Sequence, residues 1–433
     1  MSGETARSVA LDVVRRVADE GAYSNLAMSR TLARAGLGER DAALATELAR
    51  GTLRRLVSID HALAPLLDRP LERAPRPARA LLRLGAYQVL FTRIPPHAAV
   101  SETVALAGPR HRGFVNAVLR RLSVEGWRAP EGDSDQDVSA RTGLAPWAVG
   151  ELRRLLGGEA EVAARALAEP ARVTLRANTC RVAVDALEHA LRGAGAVIEG
   201  RGTVHEGSLL LGAGTPSGLP GFAEGWFAVQ DQASSLVVRV LDPRPGERIL
   251  DACAGPGGKA AHAACLVSPG GVLVAADRSA ARSALVREAL QRLRVRGQVV
   301  VQDARRPAVR GPFDRVLVDA PCTGIGSARR RPELLWRPSR DQLSRLARLQ
   351  VAIVAASTEL LRPGGRLVYS VCTFPRAETD AACDAILRVR PDLEPDELVG
   401  PEGASTRIRL WPHRHGCDAM FVAGFRKLDR PRD

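Results

Sequence analysis

The chain has 433 residues, a formal net charge of +14 and 45% hydrophobic residues. That length exceeds one ordinary core and calls for two or three domains, while no apolar run approaches the roughly 18 residues of a membrane span. The cationic surplus would attract a polyanion such as nucleic acid.

The opening MSGETARSV moves straight into an amphipathic pattern, without the basic, apolar and small-residue succession of a secretion signal, so a soluble cytoplasmic protein is expected, with no membrane attachment. Seven scattered cysteines make no disulfide framework, and reduced thiols are expected. No C-x-x-C or H-x-x-x-H pair occurs, and His413, His415 and Cys417 lack a second half, so no metal is expected. Nothing asks for more than a monomer.

From Met1 to about Pro130, apolar residues recur at three- and four-residue spacing, as in VALDVVRRVADEG and ARALLRLGAYQVLF, which predicts an all-helical domain. It carries 20 arginines against 12 acidic residues. An RNA-binding bundle is one reading of that excess and a merely soluble one the other. EGDSDQD, residues 131–137, reads as a linker. A helical stretch and short apolar runs (VTLRANT, AVIEG, SLLL, WFAVQD) then predict a small α+β module over 138–233. From Ser234 to Asp433 strands alternate with helices: RILDACA, GVLVAAD, QVVVQDA, FDRVLVDAP and GRLVYSVCT, with helices after Gly258, Ser279, Asp341 and Glu378 and a final AMFVAGF strand. Such alternation predicts a doubly wound, mostly parallel sheet that binds ligands at the carboxyl ends of its strands.

The polar motifs fall at those ends. The first strand runs through Cys253, Ala254, Gly255, Pro256, Gly257, Gly258 and Lys259 into a helix, a turn whose glycines admit close backbone approach and leave amides free for anionic groups. Asp277 ends the second strand, where a carboxylate can accept from ribose hydroxyls; an adenosyl group and a dinucleotide both fit this reading. Asp303 ends the third strand, on the adenine side for the usual winding, and Asp319 the fourth. One such carboxylate is as readily a cap or turn former, but Asp251, Asp277, Asp303 and Asp319 close four successive strands on one edge. Only two of the 62 basic residues are lysines, Lys259 and Lys427. A compact ammonium in the glycine-rich turn marks a place where guanidinium would not fit, unless the position is chance.

Cys322 and Cys372 stand at neighbouring strand ends, whereas Cys265 and Cys383 read as small buried hydrophobes within helices. A thiolate is the effective nucleophile, and Arg329, Arg330, Arg331 and Arg337 offer Cys322 positive surroundings that would depress its pKa. A disulfide between the two thiols is the rival reading. A thiol pair suits attack on an electron-poor ring: addition at carbon 6 of cytosine makes carbon 5 enamine-like, a hydrogen bond to the ring from Asp319 assists, and a second thiol serves as base or release group.

The motifs RGFVNAVLRR (Arg112 to Arg121), LRANT (Leu175 to Thr179), VQDQA (Val229 to Ala233), the Cys253 to Lys259 turn, DAPCTG (Asp319 to Gly324), RPELLW (Arg331 to Trp336) and YSVCT (Tyr369 to Thr373) cover nearly the whole chain. With them the sequence resembles the RsmB (Sun/Fmu) group of S-adenosylmethionine-dependent RNA 5-methylcytosine methyltransferases, within the NOL/NOP/Sun family. The resemblance implies a NusB-like helical RNA-binding domain over 1–137, the α+β module at 138–233 as an RNA-recognition unit, and a Rossmann-like methyltransferase domain over 234–433. It implies S-adenosyl-L-methionine contacts at Cys253 through Lys259, Asp277, Asp303 and Asp319. It implies Cys372 as nucleophile and Cys322 in product release, with Asp319 and Lys259 in the catalytic set, and RNA as substrate, with 16S ribosomal RNA favoured and transfer RNA the alternative. A DNA cytosine methyltransferase would instead attack with Cys322, and an assembly factor with an inert catalytic half would have no reason to keep all these residues. Two departures stand out: Gly255 replaces the alanine usual in the turn, and GCDAMF (Gly416 to Phe421) replaces the more common Asp-Gly-Phe-Phe.

Overall fold

Thr5 opens the first helix with a reciprocal cap, its hydroxyl accepting from the Ser8 amide while the Ser8 hydroxyl accepts from the Thr5 amide, and Gly21 closes it in the left-handed conformation. The computed structural model describes residues 4–429. The described chain separates into two units, one comprising the chain through Glu169 together with Ala328–Pro338, the other Pro170–Ser327 and the chain from Ser339 onward.

The first unit is all-helical: α1 (Ala6–Glu20), α2 (Ser24–Ala35), α3 (Glu39–Arg54), α4 (Leu56–Leu63), α5 (Arg76–Phe91), α6 (Pro96–Ala105), α7 (Pro109–Glu125), α8 (Asp135–Thr142), α9 (Pro146–Leu156) and α10 (Ala160–Ala168). The apolar stripes of α1 to α7 meet in a core that includes Val13, Leu48, Ile59, Leu82, Val115 and Leu119. Gly51 of α3 is needed there, because a Cβ would stand 2.0 Å from the Tyr87 ring. The stretch expected as a linker is a helix start in its second half: Ser134 caps α8 and forms a capping box with Asp137. Helices α8 to α10, expected with the middle module, belong to the helical unit.

Ala328–Pro338 is a strap that leaves the second unit and completes the first. Glu333, fully buried, accepts from the Ser24 amide at 3.2 Å, the Trp336 indole donates to Leu53 O at 2.9 Å, and Arg337 donates to Val17 O at 2.7 Å and Ala22 O at 2.8 Å.

In the second unit, β1 (Val173–Ala177), α11 (Val184–Gly193), β2 (Val197–Arg201), β3 (Ser208–Ala213) and β4 (Phe227–Val229) make an antiparallel sheet of order β2-β3-β1-β4. After α12 (Gln232–Leu241) come β5 (Arg248–Asp251), α13 (Gly258–Leu266), β6 (Val272–Asp277), α14 (Ala280–Arg292), β7 (Gln298–Val301), β8 (Phe313–Asp319), α15 (Arg340–Glu359), β9 (Leu361–Val371) and α16 (Asp380–Val389). The chain ends in β10 (Leu393–Asp396), the hairpin β11 (Leu398–Gly400) and β12 (Gly403–Ser405), β13 (Arg407–Leu410), α17 (Pro412–His415) and β14 (Met420–Lys427). The large sheet has the order β10-β14-β9-β8-β5-β6-β7, with β13 also on β14. Strands β5 to β9 are parallel and β14 is antiparallel, so this is the Rossmann-like sheet expected from the alternation. Chain order reverses between β5 and β8, which makes their carboxyl ends the switch point where such sheets bind ligands.

Two expectations about cysteine fail, that the thiols are all reduced and that Cys265 only fills space. Cys265, read as a buried hydrophobe, forms a disulfide with Cys180, with Cα atoms 5.8 Å apart. The turn after β1 meets the end of α13 there, a contact across 85 residues that no local pattern announces.

Candidate active site

Asp251 and Asp319 end β5 and β8, the two strands at the switch point, and Cys322 and Cys372 follow β8 and β9. Parallel pairing sets Asp319 beside Ser370, and the Ser370 hydroxyl donates to Asp319 Oδ1 at 2.8 Å. Lys259, in the first turn of α13, donates to Asp319 Oδ2 at 2.9 Å and to Ser234 Oγ at 3.3 Å. Burial works against the charge of Lys259, but the Asp319 carboxylate outweighs it and holds the pKa above the ordinary lysine value. The other lysine is also seated by acceptors: Lys427 donates to Thr358 O and Leu361 O, at 2.9 and 2.8 Å.

The glycine-rich turn is shaped by what cannot be there. Gly257 has φ +109°, and a Cβ on it would stand 2.9 Å from Ala289 Cβ and 3.0 Å from Val286 Cα. A Cβ on Gly255 would meet Arg282 Nε at 2.5 Å and Asp277 Oδ2 at 2.6 Å. Glycine in place of alanine thus lets Arg282 lie over the turn, donating to Gly255 O and pairing with Asp277 at 3.3 Å. Asp277 Oδ2 accepts from the Gly255 amide at 3.1 Å and Oδ1 from the Ser279 amide at 2.9 Å, which joins the turn to the end of β6. Asp303 is partly exposed, chelates Arg305 and is held well below the usual carboxylate range by that guanidinium. Asp251 is 1% exposed; burial and the neighbouring Asp319 charge push its pKa up to about 7. Burial likewise pushes the Cys253 thiol up.

The two thiols stand 3.5 Å apart, Sγ to Sγ, in hydrogen-bond contact and not joined as a disulfide. Their surroundings differ. Cys322 is pushed well above the ordinary thiol range by its hydrogen bond to Cys372, by burial and by the charges of Cys372, Glu378 and Asp319. The Lys259 ammonium, in contrast, is stabilised by Cys372 as well as by Asp319. This corrects the expectation that arginines following Cys322 would depress its pKa: Arg329, Arg330, Arg331 and Arg337 belong to the strap, and Arg337 is engaged with backbone carbonyls of the helical unit.

The structure therefore brings Lys259, Asp319, Cys322 and Cys372 into one cluster and leaves Cys253, Asp277 and Asp303 along the adjoining strand ends. Sequence reasoning missed the support behind the thiols, formed by Glu378, Gln350 and Thr323. Glu378 lies six residues after Cys372, but no local pattern distinguishes it from an ordinary helix-opening acid.

The strand-end edge fits a nucleoside-bearing ligand on one observation: the buried Asp251 Oδ2 has no hydrogen-bond partner among the described residues and is left to accept from a bound group.

Residues 238–426 match the family model described as 16S rRNA methyltransferase RsmB/F, and residues 4–123 match the NusB family. Fold and site thus define the class, a Rossmann-like methyltransferase joined to a NusB-type helical domain. A relative from Bacillus subtilis, the probable ribosomal RNA small subunit methyltransferase B, is 35% identical, with 99% of this chain and all of that protein aligned. The ribosomal RNA small subunit methyltransferase B of Vibrio cholerae is 36% identical over 96% of each chain. The crystal structure of PH0851 has the same fold, with a TM-score of 0.83 at 23% identity over 98% of each chain. The chain belongs to the RsmB/F family of rRNA methyltransferases.

Proposed function

We propose that this enzyme methylates carbon 5 of a cytosine in 16S ribosomal RNA, using S-adenosyl-L-methionine, and that Cys372 is the nucleophile. The observation that carries this reading is the pair of thiols 3.5 Å apart, with the Lys259 ammonium interacting with Cys372 and the Glu378 and Asp319 charges opposing ionisation of Cys322. The family match and the relatives named for small-subunit rRNA support the substrate.

Asp277 would hold the ribose of the cofactor, the Cys253 to Lys259 turn its aminoacyl end, and Asp303 the adenine side. Bound there, the cofactor supplies an electrophilic methyl group. The protein's own groups do the rest. The Cys372 thiolate, favoured by the Lys259 ammonium, adds to carbon 6, and the electron density pushed to carbon 5 makes that carbon nucleophilic. Asp319, whose oxygens each retain a lone pair beyond Lys259 and Ser370, accepts from the exocyclic amine and orients the ring. Cys322, once ionised to solvent, takes the carbon-5 proton; the pair left behind restores the double bond and expels Cys372. Bisulfite sequencing of 16S rRNA from a deletion strain should show one cytosine newly converted, and its return on complementation; no change at any position would defeat the reading.

The helical unit is assigned to RNA binding. Helix α7 exposes Arg110, Arg112, Arg120 and Phe114, the last 42% exposed, and none of the three arginines forms an ion pair among the described residues. Arg120 and Asn116 also line an approximately 680 Å³ groove with His97 and Ser101 of α6. Guanidinium groups beside an exposed ring suit an unpaired strand, the state in which a cytosine ring is accessible. Replacing the three arginines with alanine is expected to weaken RNA binding about tenfold or more and to flatten the slope of log K against log salt by roughly two to three. A salt titration of RNA binding checks this, with thermal melting as control.

A further inference from the structure

Behind the thiols lies a carboxylate that the reaction itself does not use. Glu378 is fully buried in the turn between β9 and α16. Its Oε1 accepts from the Thr323 amide at 2.9 Å and from Gln350 Nε2 at 2.8 Å, and its Oε2 accepts from the Thr323 hydroxyl at 2.5 Å. Thr373 is drawn into the same cluster, with its hydroxyl 2.7 Å from that of Thr323 and hydrogen-bonded to Glu378. Gln350 Nε2 also donates to Pro321 O at 3.0 Å, and the Tyr369 hydroxyl lies 2.7 Å from Glu378 O and 3.0 Å from Gln350 Oε1.

These contacts have a common geometry. Pro321 and Thr323 flank Cys322, and Thr373 follows Cys372, so the carboxylate and its amide partner grip the backbone on both sides of one thiol and the residue next to the other. Burial raises the pKa of Glu378 despite these donors, so the site bears an electrostatic cost that an apolar residue would avoid. A carboxylate answers the geometry because both its oxygens accept. An amide would turn a donor toward one side of the cluster and keep only half of the grip.

We propose that Glu378 is the positioning residue of the thiol pair: by tying Thr323 to Thr373 it holds Cys322 at the distance from Cys372 that release requires. The second half of this statement rests on the assignment of Cys322 to release. The first half does not.

Glu378→Gln preserves volume and tests both halves. In the full-length enzyme with an RNA substrate and S-adenosylmethionine, the first-turnover formation of the covalent protein–RNA adduct should stay within about threefold of wild type, while its breakdown slows about tenfold, the equivalent of one weakened hydrogen bond at 1.4 kcal/mol. In the RNA-free protein, diamide should close the Cys322–Cys372 disulfide about tenfold more slowly, the diazene taking up the two electrons and two protons released; peptide mass spectrometry reads the product. Unchanged disulfide closure in folded Glu378→Gln overturns the positioning role, and so does an equal loss of both adduct formation and breakdown. If closure slows but Cys322→Ala accumulates no adduct, positioning stands and the release assignment falls. Should Glu378→Gln fail to fold, Thr323→Val removes one hydroxyl while keeping the backbone contact, and the same slowing of closure is expected; its absence counts against the proposal.

Discussion

Cys372→Ala is expected to abolish turnover, a fall of roughly four orders of magnitude or more, because in the proposed reaction carbon 5 becomes nucleophilic only after the Cys372 thiolate has added to carbon 6. Cys322→Ala is expected to do something different: it should complete methyl transfer once and then remain attached to RNA, visible as a protein–RNA band on a denaturing gel. The two side chains are only 3.5 Å apart, so neither proximity nor exposure separates their roles. Electrostatics does. The Lys259 ammonium interacts through space with Cys372, which favours an anion there, while the hydrogen bond to Cys372, burial and the charges of Cys372, Glu378 and Asp319 disfavour one at Cys322. If the adduct accumulated in Cys372→Ala instead, the roles would have to be exchanged and the reaction would follow the order used on DNA.

Lys259→Ala should also be severe, lowering single-turnover methylation by roughly 100- to 1000-fold, the range seen when one preorganised electrostatic group is lost from a catalytic site. Two anionic groups depend on this ammonium, Asp319 through the 2.9 Å ion pair and Cys372 through space. Lys259→Arg is the sharper variant. Its charge is the same, but a planar guanidinium must fit where the lysine side chain is 12% exposed and hemmed in by Ser234 and Asp319. The expected outcome is a loss of at least about tenfold, measured by the rate of methyl incorporation at saturating cofactor. Full activity in Lys259→Arg would show that charge alone matters and that the scarcity of lysine in this chain carries no message at this position.

Much of the catalytic sheet was legible because its signals are local. RILD, VLVAAD and FDRVLVD are short apolar runs ending in aspartate, and each is a strand whose last residue stands at the ligand-binding edge. Cys322 and Cys372 were legible as neighbours because the strands before them are neighbours. What escaped was non-local. The Ser134 cap was hidden in an acidic stretch that resembles a linker in composition. Cys180 and Cys265 meet across two elements with no shared periodicity. Glu378 is recognisable only once Thr323, fifty-five residues earlier, is seen to donate to it. The strap is visible in the sequence as RPELLW, but sequence cannot say that a motif inside one unit's span is built into another's core.

That strap sets a timetable for biosynthesis. Most of the helical unit leaves the ribosome before the catalytic one, yet it lacks the indole that caps Leu53 O and the guanidinium that caps Val17 O until residues 336 and 337 have been made. At about 5–20 residues per second, the stretch from 170 to 338 takes roughly 10–30 s to synthesise. During that interval ten helices wait with Leu53 and Val17 offering carbonyls to water. The earlier of the two units can be completed only when much of the later one has followed it out.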